Sequence, residues 1–290
     1  TLLQLGRHER DCGARRSGSR AGCLQTRRRH DHVECDFAEA AAALLGGGVA
    51  EAEGGAAGVE KSYAEMLRVL EKAGMTGKFP VKRGADPLQY RDRIPANEGV
   101  DFIIERAKAA SPADPLWLVL LGPATDAAAA LLKEPSIADR LVVLWHGRTQ
   151  WPVRAWNFNA YNDIRAVRVI FELPCRLVLF DTGTYLRIPK EETERRFAPL
   201  GPLGAYLHQI RLSKPGYASP SKGFFDLGDI AAIADPSCVR WEKVAAPAVD
   251  QDLRYDFSRN YGEIIRIYHV ENEPTFNLLE AALRRLRPGK

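Results

Sequence analysis

LWLVLLG, residues 116–122, is an unbroken apolar run. A strand wetted on one face alternates apolar and polar residues, whereas a run like this is covered on both faces, as in parallel sheets. The pattern recurs in RLVVLWHG at 140–147 and CRLVLFD at 175–181, with helical spacing between the runs at about 126–133 and about 163–172. GVDFIIERAKAA, residues 99–110, is amphipathic through Phe102, Ile103 and Ala107 and leads into the first run. Strand, helix and strand at this spacing imply right-handed crossovers in one mostly parallel α/β sheet flanked by helices. Ligands in such sheets bind beyond the carboxyl ends of the strands, which directs attention to loops 122–126, 147–162 and 182–188.

Upstream, Tyr63, Met66, Leu67 and Leu70 share helical spacing that ends at Gly74, a C-cap residue by type and place. PVKRGA, residues 80–85, reads as a short edge strand and turn. A chain of 290 residues can bury a large core. We assign one α/β domain to residues 59–290.

Residues 1–58 differ from the rest: they contain no Ile, Pro, Asn, Lys, Tyr, Trp or Met, and Phe37 is their one aromatic. Without β-branched runs this irregular N-terminal segment offers no candidate strand, and only DFAEAAAALL, residues 36–45, has the makings of a helix. Cys23, His30, His32 and Cys35 are zinc-type ligands, but their spacing matches no recognised finger. A low-complexity disordered or aberrant segment is the simpler reading. GC-rich DNA read in the wrong frame yields such text, and Thr1 in place of Met suggests a fragment.

The net charge of +4 comes largely from the ends, with eight arginines in the first 29 residues and Arg284, Arg285, Arg287 and Lys290 at the close. The middle is nearly balanced, which argues against a nucleic-acid partner. No apolar run reaches membrane-span length and no secretory signal pattern is present, so the expected setting is soluble and cytoplasmic. Five scattered cysteines, Cys12, Cys23, Cys35, Cys175 and Cys238, read as reduced thiols.

In the loop after the first run, GPATDAAAALL, either Thr125 or Asp126 can cap the following helix. After the second run comes WHGRTQWPVRAWNFNAYND, long enough to expect a function. If WNFN is extended, Asn157 and Asn159 point to one side and Trp156 and Phe158 to the other, so one face packs while the other offers neutral donors and acceptors suited to sugar hydroxyls. Asn162 or Asp163 then caps the next helix, which makes Asp163 structural. Farther on, KGFFDLGDIAAIADPS holds Asp226 and Asp229 at the start of a helix. They read as an N-cap and a first-turn carboxylate, or, for Asp226, as an oxygen ligand to a hard cation.

In this order, LVLLGPATDAAAALL, RLVVLWHG, WNFNAYNDIRAVRVIFE and FDLGDIAAIADPS resemble the inosine–uridine-preferring nucleoside hydrolase family, over about residues 60–287. The resemblance implies a mostly parallel α/β fold and cleavage of the N-glycosidic bond of ribonucleosides, with Ca²⁺ as cofactor, a small nucleoside as ligand and a homo-oligomeric assembly. By resemblance, the Thr125 carbonyl and Asp226 are metal ligands, and Asn159 grips ribose with Trp156 and Asn157 beside it. Asn157 stands where many members have glutamate, and Phe225 where several have histidine. The family's N-terminal aspartate cluster, source of the general base, has no counterpart in residues 1–58. Asp11 in RDCGA is its faintest echo, with no apolar strand before it. The catalytic base is therefore unassigned, and impaired activity or a non-catalytic ribose-binding module is the alternative expectation.

Overall fold

The computed structural model describes residues 2–4, 55–147, 149–183, 185–213 and 220–286. A six-stranded sheet is built from β1 (Leu2–Gln4), β2 (Leu116–Leu120), β3 (Leu141–His146), β4 (Arg176–Phe180), β7 (Val239–Val249) and β8 (Tyr255–Val270), in the order β1-β2-β3-β4-β8-β7. The expected parallel core is present: β2, β3, β4 and β8 run parallel, while β1 and β7 pair antiparallel at the two edges. A two-stranded hairpin of β5 (Arg187–Pro189) and β6 (Ser221–Gly223) stands apart.

Side-chain alternation divides the three apolar runs between two cores. Trp117 and Val119, Val142 and Leu144, and Val178 and Phe180 enter one core. That core is closed by α1 (Gly55–Lys72), α7 (Pro202–Ser213), α8 (Leu227–Ala234) and α9 (Asn272–Leu286). The intervening residues, among them Leu118, Val143, Trp145 and Leu179, enter the other. It is closed by α2 (Glu98–Ala109), α3 (Thr125–Lys133) and α5 (Ile164–Glu172). The short α4 (Phe158–Asn162) precedes α5, and α6 (Lys190–Arg196) follows β5.

α1 ends as expected. Gly74 takes φ +69, and the Met75 N–H closes on the Leu70 carbonyl at 2.8 Å, a six-to-one bond of the Schellman type. Leu67, placed on the apolar face by spacing, is 45% exposed; Met66, Val69, Leu70 and Ala73 are the buried stripe.

Three sequence expectations need correction. PVKRGA is not a strand. Its backbone is satisfied elsewhere: Arg83 N–H donates to Glu98 Oε1 at 3.1 Å, Ala85 N–H to Asp126 Oδ1 at 2.7 Å, and the Arg83 carbonyl accepts from Gly99 at 3.2 Å. Second, Leu2–Gln4 pairs with Leu118–Leu120, so the first residues do contribute a strand. Third, α1 begins at Gly55, ahead of the boundary set at 59. The zinc-type ligands Cys23, His30, His32 and Cys35, together with Asp11, Cys12 and the helix read at 36–45, lie outside the described residues. Cys175 and Cys238 are free thiols, and burial pushes both up to about 12. No described helix is long and apolar enough to cross a membrane.

Asp163 joins three segments around the start of α5, as its structural reading anticipates. One oxygen caps α5 through Ala166 N–H at 2.9 Å, and the other accepts from Leu88 N–H at 2.9 Å and the Thr125 hydroxyl at 2.7 Å. Asp163 is 4% exposed, so removing its carboxylate strands buried donors. Asp163→Ala should lower unfolding free energy by roughly 3 kcal/mol in a urea titration, combining a lost cap with unsatisfied donors. A change below about 1 kcal/mol would mean that water replaces the carboxylate without cost.

Candidate functional site

His146 is the last residue of β3, and the strand period puts it on the same side as Val142 and Leu144, facing α8. There the imidazole meets two carboxylates that lie three apart at the start of that helix, on one face. His146 Nδ1 is 2.7 Å from Asp229 Oδ2, and Nε2 is 3.5 Å from Asp226 Oδ1. Ligand atoms of all three residues fall within 4.8 Å of one another.

Packed neighbours fix the ring. Phe180, at the end of β4, stacks on His146 with centroids 5.6 Å apart and planes 25° from parallel. Gly228 lets α8 approach Phe180, because a Cβ there would sit 2.5 Å from Phe180 Cζ. Asp229 is fully buried, and desolvation pushes its carboxyl up to about 7 against the opposing pull of His146. Its Oδ1 has no hydrogen-bond partner among the described residues. Asp226 occupies the N-cap position of α8 with helical φ −74 and ψ −16, and its side chain does not cap that helix. The capping reading of Asp226 is thus corrected; its carboxylate is turned toward His146 instead.

The long loop after β3 is not extended where the amides lie. Residues 158–162 form α4, and Asn157 is its N-cap, accepting from Ala160 N–H at 3.0 Å. The Asn157 amide also donates to the carbonyls of Gly147 and Ala155. Asn159 Nδ2 donates to the Leu121 carbonyl at 3.2 Å and the His146 carbonyl at 3.0 Å, tying the carboxyl ends of β2 and β3 together. Among the described residues its bonds run through the amide nitrogen. The two carboxamides are therefore placed by a helix start rather than by an extended WNFN, and both donate to carbonyls at the end of β3. Trp156 is 45% exposed, with its ring 5.6 Å from Tyr161 and the Arg154 guanidinium 4.9 Å above it.

Thr125 opens α3, and neither it nor Asp126 caps that helix: Ala124 is the N-cap and makes no side-chain bond. The Thr125 hydroxyl goes to Asp163, and Asp126 goes to Ala85, its carboxyl pushed up by burial. At the end of β4, Asp181 anchors the long loop, accepting from Thr149 N–H at 2.5 Å, the Thr149 hydroxyl at 2.8 Å and Arg266 Nε at 2.6 Å. Burial pushes the Asp181 carboxyl up, and Arg266 and Thr149 pull it back.

Of the residues singled out from sequence, the fold brings Asp226 into a cluster and places Asn157, Asn159 and Trp156 in the loop that continues β3. Sequence reasoning missed His146 and gave Asp229 only a helix-dipole role. The available signal was a titratable residue closing an otherwise apolar two-faced strand. Imidazole and carboxylates at the carboxyl end of a parallel strand can hold a divalent cation and orient water or a hydroxyl beside it.

The inosine-uridine preferring nucleoside hydrolase family matches residues 47–271, and the chain belongs to that family. Solved structures agree in fold. The purine-preferring ribonucleoside hydrolase from Gardnerella vaginalis aligns with TM-score 0.64 at 19% identity, covering 79% of this chain and 86% of its own. An inosine-guanosine nucleoside hydrolase aligns with TM-score 0.65 at 14% identity, covering 85% and 95%. The inosine-uridine preferring nucleoside hydrolase from Bacillus anthracis aligns with TM-score 0.60 at 15% identity, covering 87% and 96%. No curated protein sequence matches the chain.

Gly228→Ala tests the packing that seats the ring. The added methyl must displace fully buried Phe180, and stability should fall by roughly 1–3 kcal/mol in thermal or urea unfolding. An unchanged midpoint would show that α8 does not bear on Phe180.

Proposed function

We propose that this chain hydrolyses the N-glycosidic bond of ribonucleosides at the carboxyl ends of β2, β3 and β4. The observation that carries the reading is Asp226: it matches the family's aspartate ligand, and its side chain faces His146 rather than its own helix. In the reaction a water oxygen bonds to the anomeric carbon while the C–N bond breaks, its electron pair leaving with the base nitrogen. The water proton is balanced by protonation of that departing base. The transition state has oxocarbenium character, which a buried carboxylate nearby stabilises electrostatically.

A divalent cation, when bound, supplies a lowered pKa and a fixed position for the water. Asp226 would hold it, with the Thr125 carbonyl as the second ligand the family pattern suggests. Asn159, already fixed at its nitrogen by two strand ends, would present its side-chain oxygen to a ribose hydroxyl, with Asn157 shaping the turn and Trp156 at the rim. Family membership also supports a role in purine and pyrimidine salvage in the cytoplasm, a small nucleoside as ligand, and assembly as a homo-oligomer.

Purified chain incubated with inosine, uridine and p-nitrophenyl riboside plus divalent cation should release base or p-nitrophenolate. Asp226→Ala should cut that rate by roughly 100-fold or more. Absence of turnover, with nucleoside binding that ignores chelator in calorimetry, would replace this reading by the non-catalytic ribose-binding module. Asn159→Ala should raise the dissociation constant for ribose or nucleoside about tenfold, the loss of one good hydrogen bond to the sugar. Unchanged affinity would confine Asn159 to tying the two strands.

A further inference from the structure

We infer that His146 is itself a metal ligand, with Asp229 as the carboxylate that orients it, and that the site therefore takes a borderline first-row divalent cation in preference to Ca²⁺. This rests on the proposed function only for the location of the cation.

The geometry has three parts. First, Asp229 Oδ2 lies 2.7 Å from Nδ1, and in the tautomer that donates Nδ1–H to this carboxylate the lone pair of Nε2 is directed to the opposite side of the ring. Rotation is blocked by Phe180 stacked on the ring, itself held by the close approach of Gly228. Second, Nε2 faces Asp226 Oδ1 at 3.5 Å, long for a hydrogen bond. Two ligands each about 2.1 Å from one tetrahedral cation stand about 3.4 Å apart, so this separation is the edge of such a shell. Third, Asp229 is fully buried with Oδ1 lacking a hydrogen-bond partner among the described residues. A dication on the far side of the imidazole offsets the cost of that buried carboxylate.

Among the described residues the donor set mixes an imidazole nitrogen with carboxylate oxygen, and that mixture decides the metal. Ca²⁺ takes six to eight oxygens, and an imidazole nitrogen is a poor member of its shell. Zn²⁺, Co²⁺ and similar ions accept imidazole with carboxylate and water. A carboxylate–histidine–metal relay of this kind raises ligand basicity and fixes the tautomer. The competing account is a structural histidine–aspartate pair that binds no ion.

Chelator-stripped full-length chain titrated with Co²⁺ should give one visible d–d band from a nitrogen–oxygen shell, with affinity at least tenfold above that for Ca²⁺. His146→Asn should abolish the band, and Asp229→Asn should weaken Co²⁺ binding by about tenfold while leaving the band's shape intact. Circular dichroism establishes that each variant is folded. Should His146→Asn not fold, X-ray absorption on the Zn²⁺-loaded unmutated chain reads the same point through imidazole scattering. An all-oxygen shell, a thiolate charge-transfer band that survives His146→Asn, or Ca²⁺ bound as tightly as Co²⁺ each overturns the inference. Because metal binding is read without substrate, a chain that binds Co²⁺ through His146 yet hydrolyses nothing would refute the hydrolase reading alone.

Discussion

Everything in this structure depends on burying β2, β3 and β4 from both sides. Successive residues of each strand are consumed by opposite cores, so no length of strand is available for polar chemistry until the strand ends. At their carboxyl ends the alternation still dictates direction, and the next position of the Val142–Leu144 series is His146 rather than another aliphatic. The same geometry that makes the core continuous thus delivers an imidazole to the first turn of α8, where Asp226 and Asp229 already stand on one face. Packing and chemistry are fixed by one constraint.

The polar groups around this point divide by what they hold. Asp163, Asp126 and Asp181 accept backbone or hydroxyl hydrogens and join segments far apart in sequence, which ties loop residues near the site to the elements around them. The loop after β3 is docked further through Ala155 N–H to the Leu253 carbonyl at 2.7 Å, at the turn between β7 and β8. Asn159 couples that loop to two strand ends, so the side chain proposed to meet ribose also supports the fold. Asp226 and His146 differ in kind: the Asp226 carboxylate makes no cap to its own helix and lies 3.5 Å from an imidazole that a buried carboxylate holds at its other nitrogen.

The parallel core was legible because two-faced burial writes an uninterrupted apolar run, a pattern that few other environments produce. The helices between the runs followed from spacing, and Asp163 from its place ahead of α5. What escaped reading has physical reasons. PVKRGA has strand-like residues, but side chains of Glu98 and Asp126 take its backbone donors. The β7–β8 hairpin carries exposed and charged residues along much of its length, β7 lying at the sheet edge and β8 pairing with β4 over residues 265–267, and so lacks the apolar signature. The residue types of WNFN allow an extended backbone, whereas Asn157 accepts from Ala160 N–H as an N-cap and starts a helix. His146 was hidden inside a run whose other members are core, and Asp229 behind an ordinary preference for acid at a helix start. Only the packing of α8 against the end of β3 brings these two residues, 83 apart in sequence, to 2.7 Å.

In the proposed site His146 and Asp226, with Asp229 seated behind the imidazole on Nδ1, share one cation position beyond the end of β3. Anomalous diffraction at the zinc edge, from a crystal of the full chain grown with Zn²⁺, measures that position directly. The account predicts one strong peak within about 2.2 Å of both His146 Nε2 and an Asp226 oxygen, with Asp229 still on Nδ1. A well-ordered His146–Asp229 pair with no peak beside it, or a peak bound elsewhere on the chain, would contradict it.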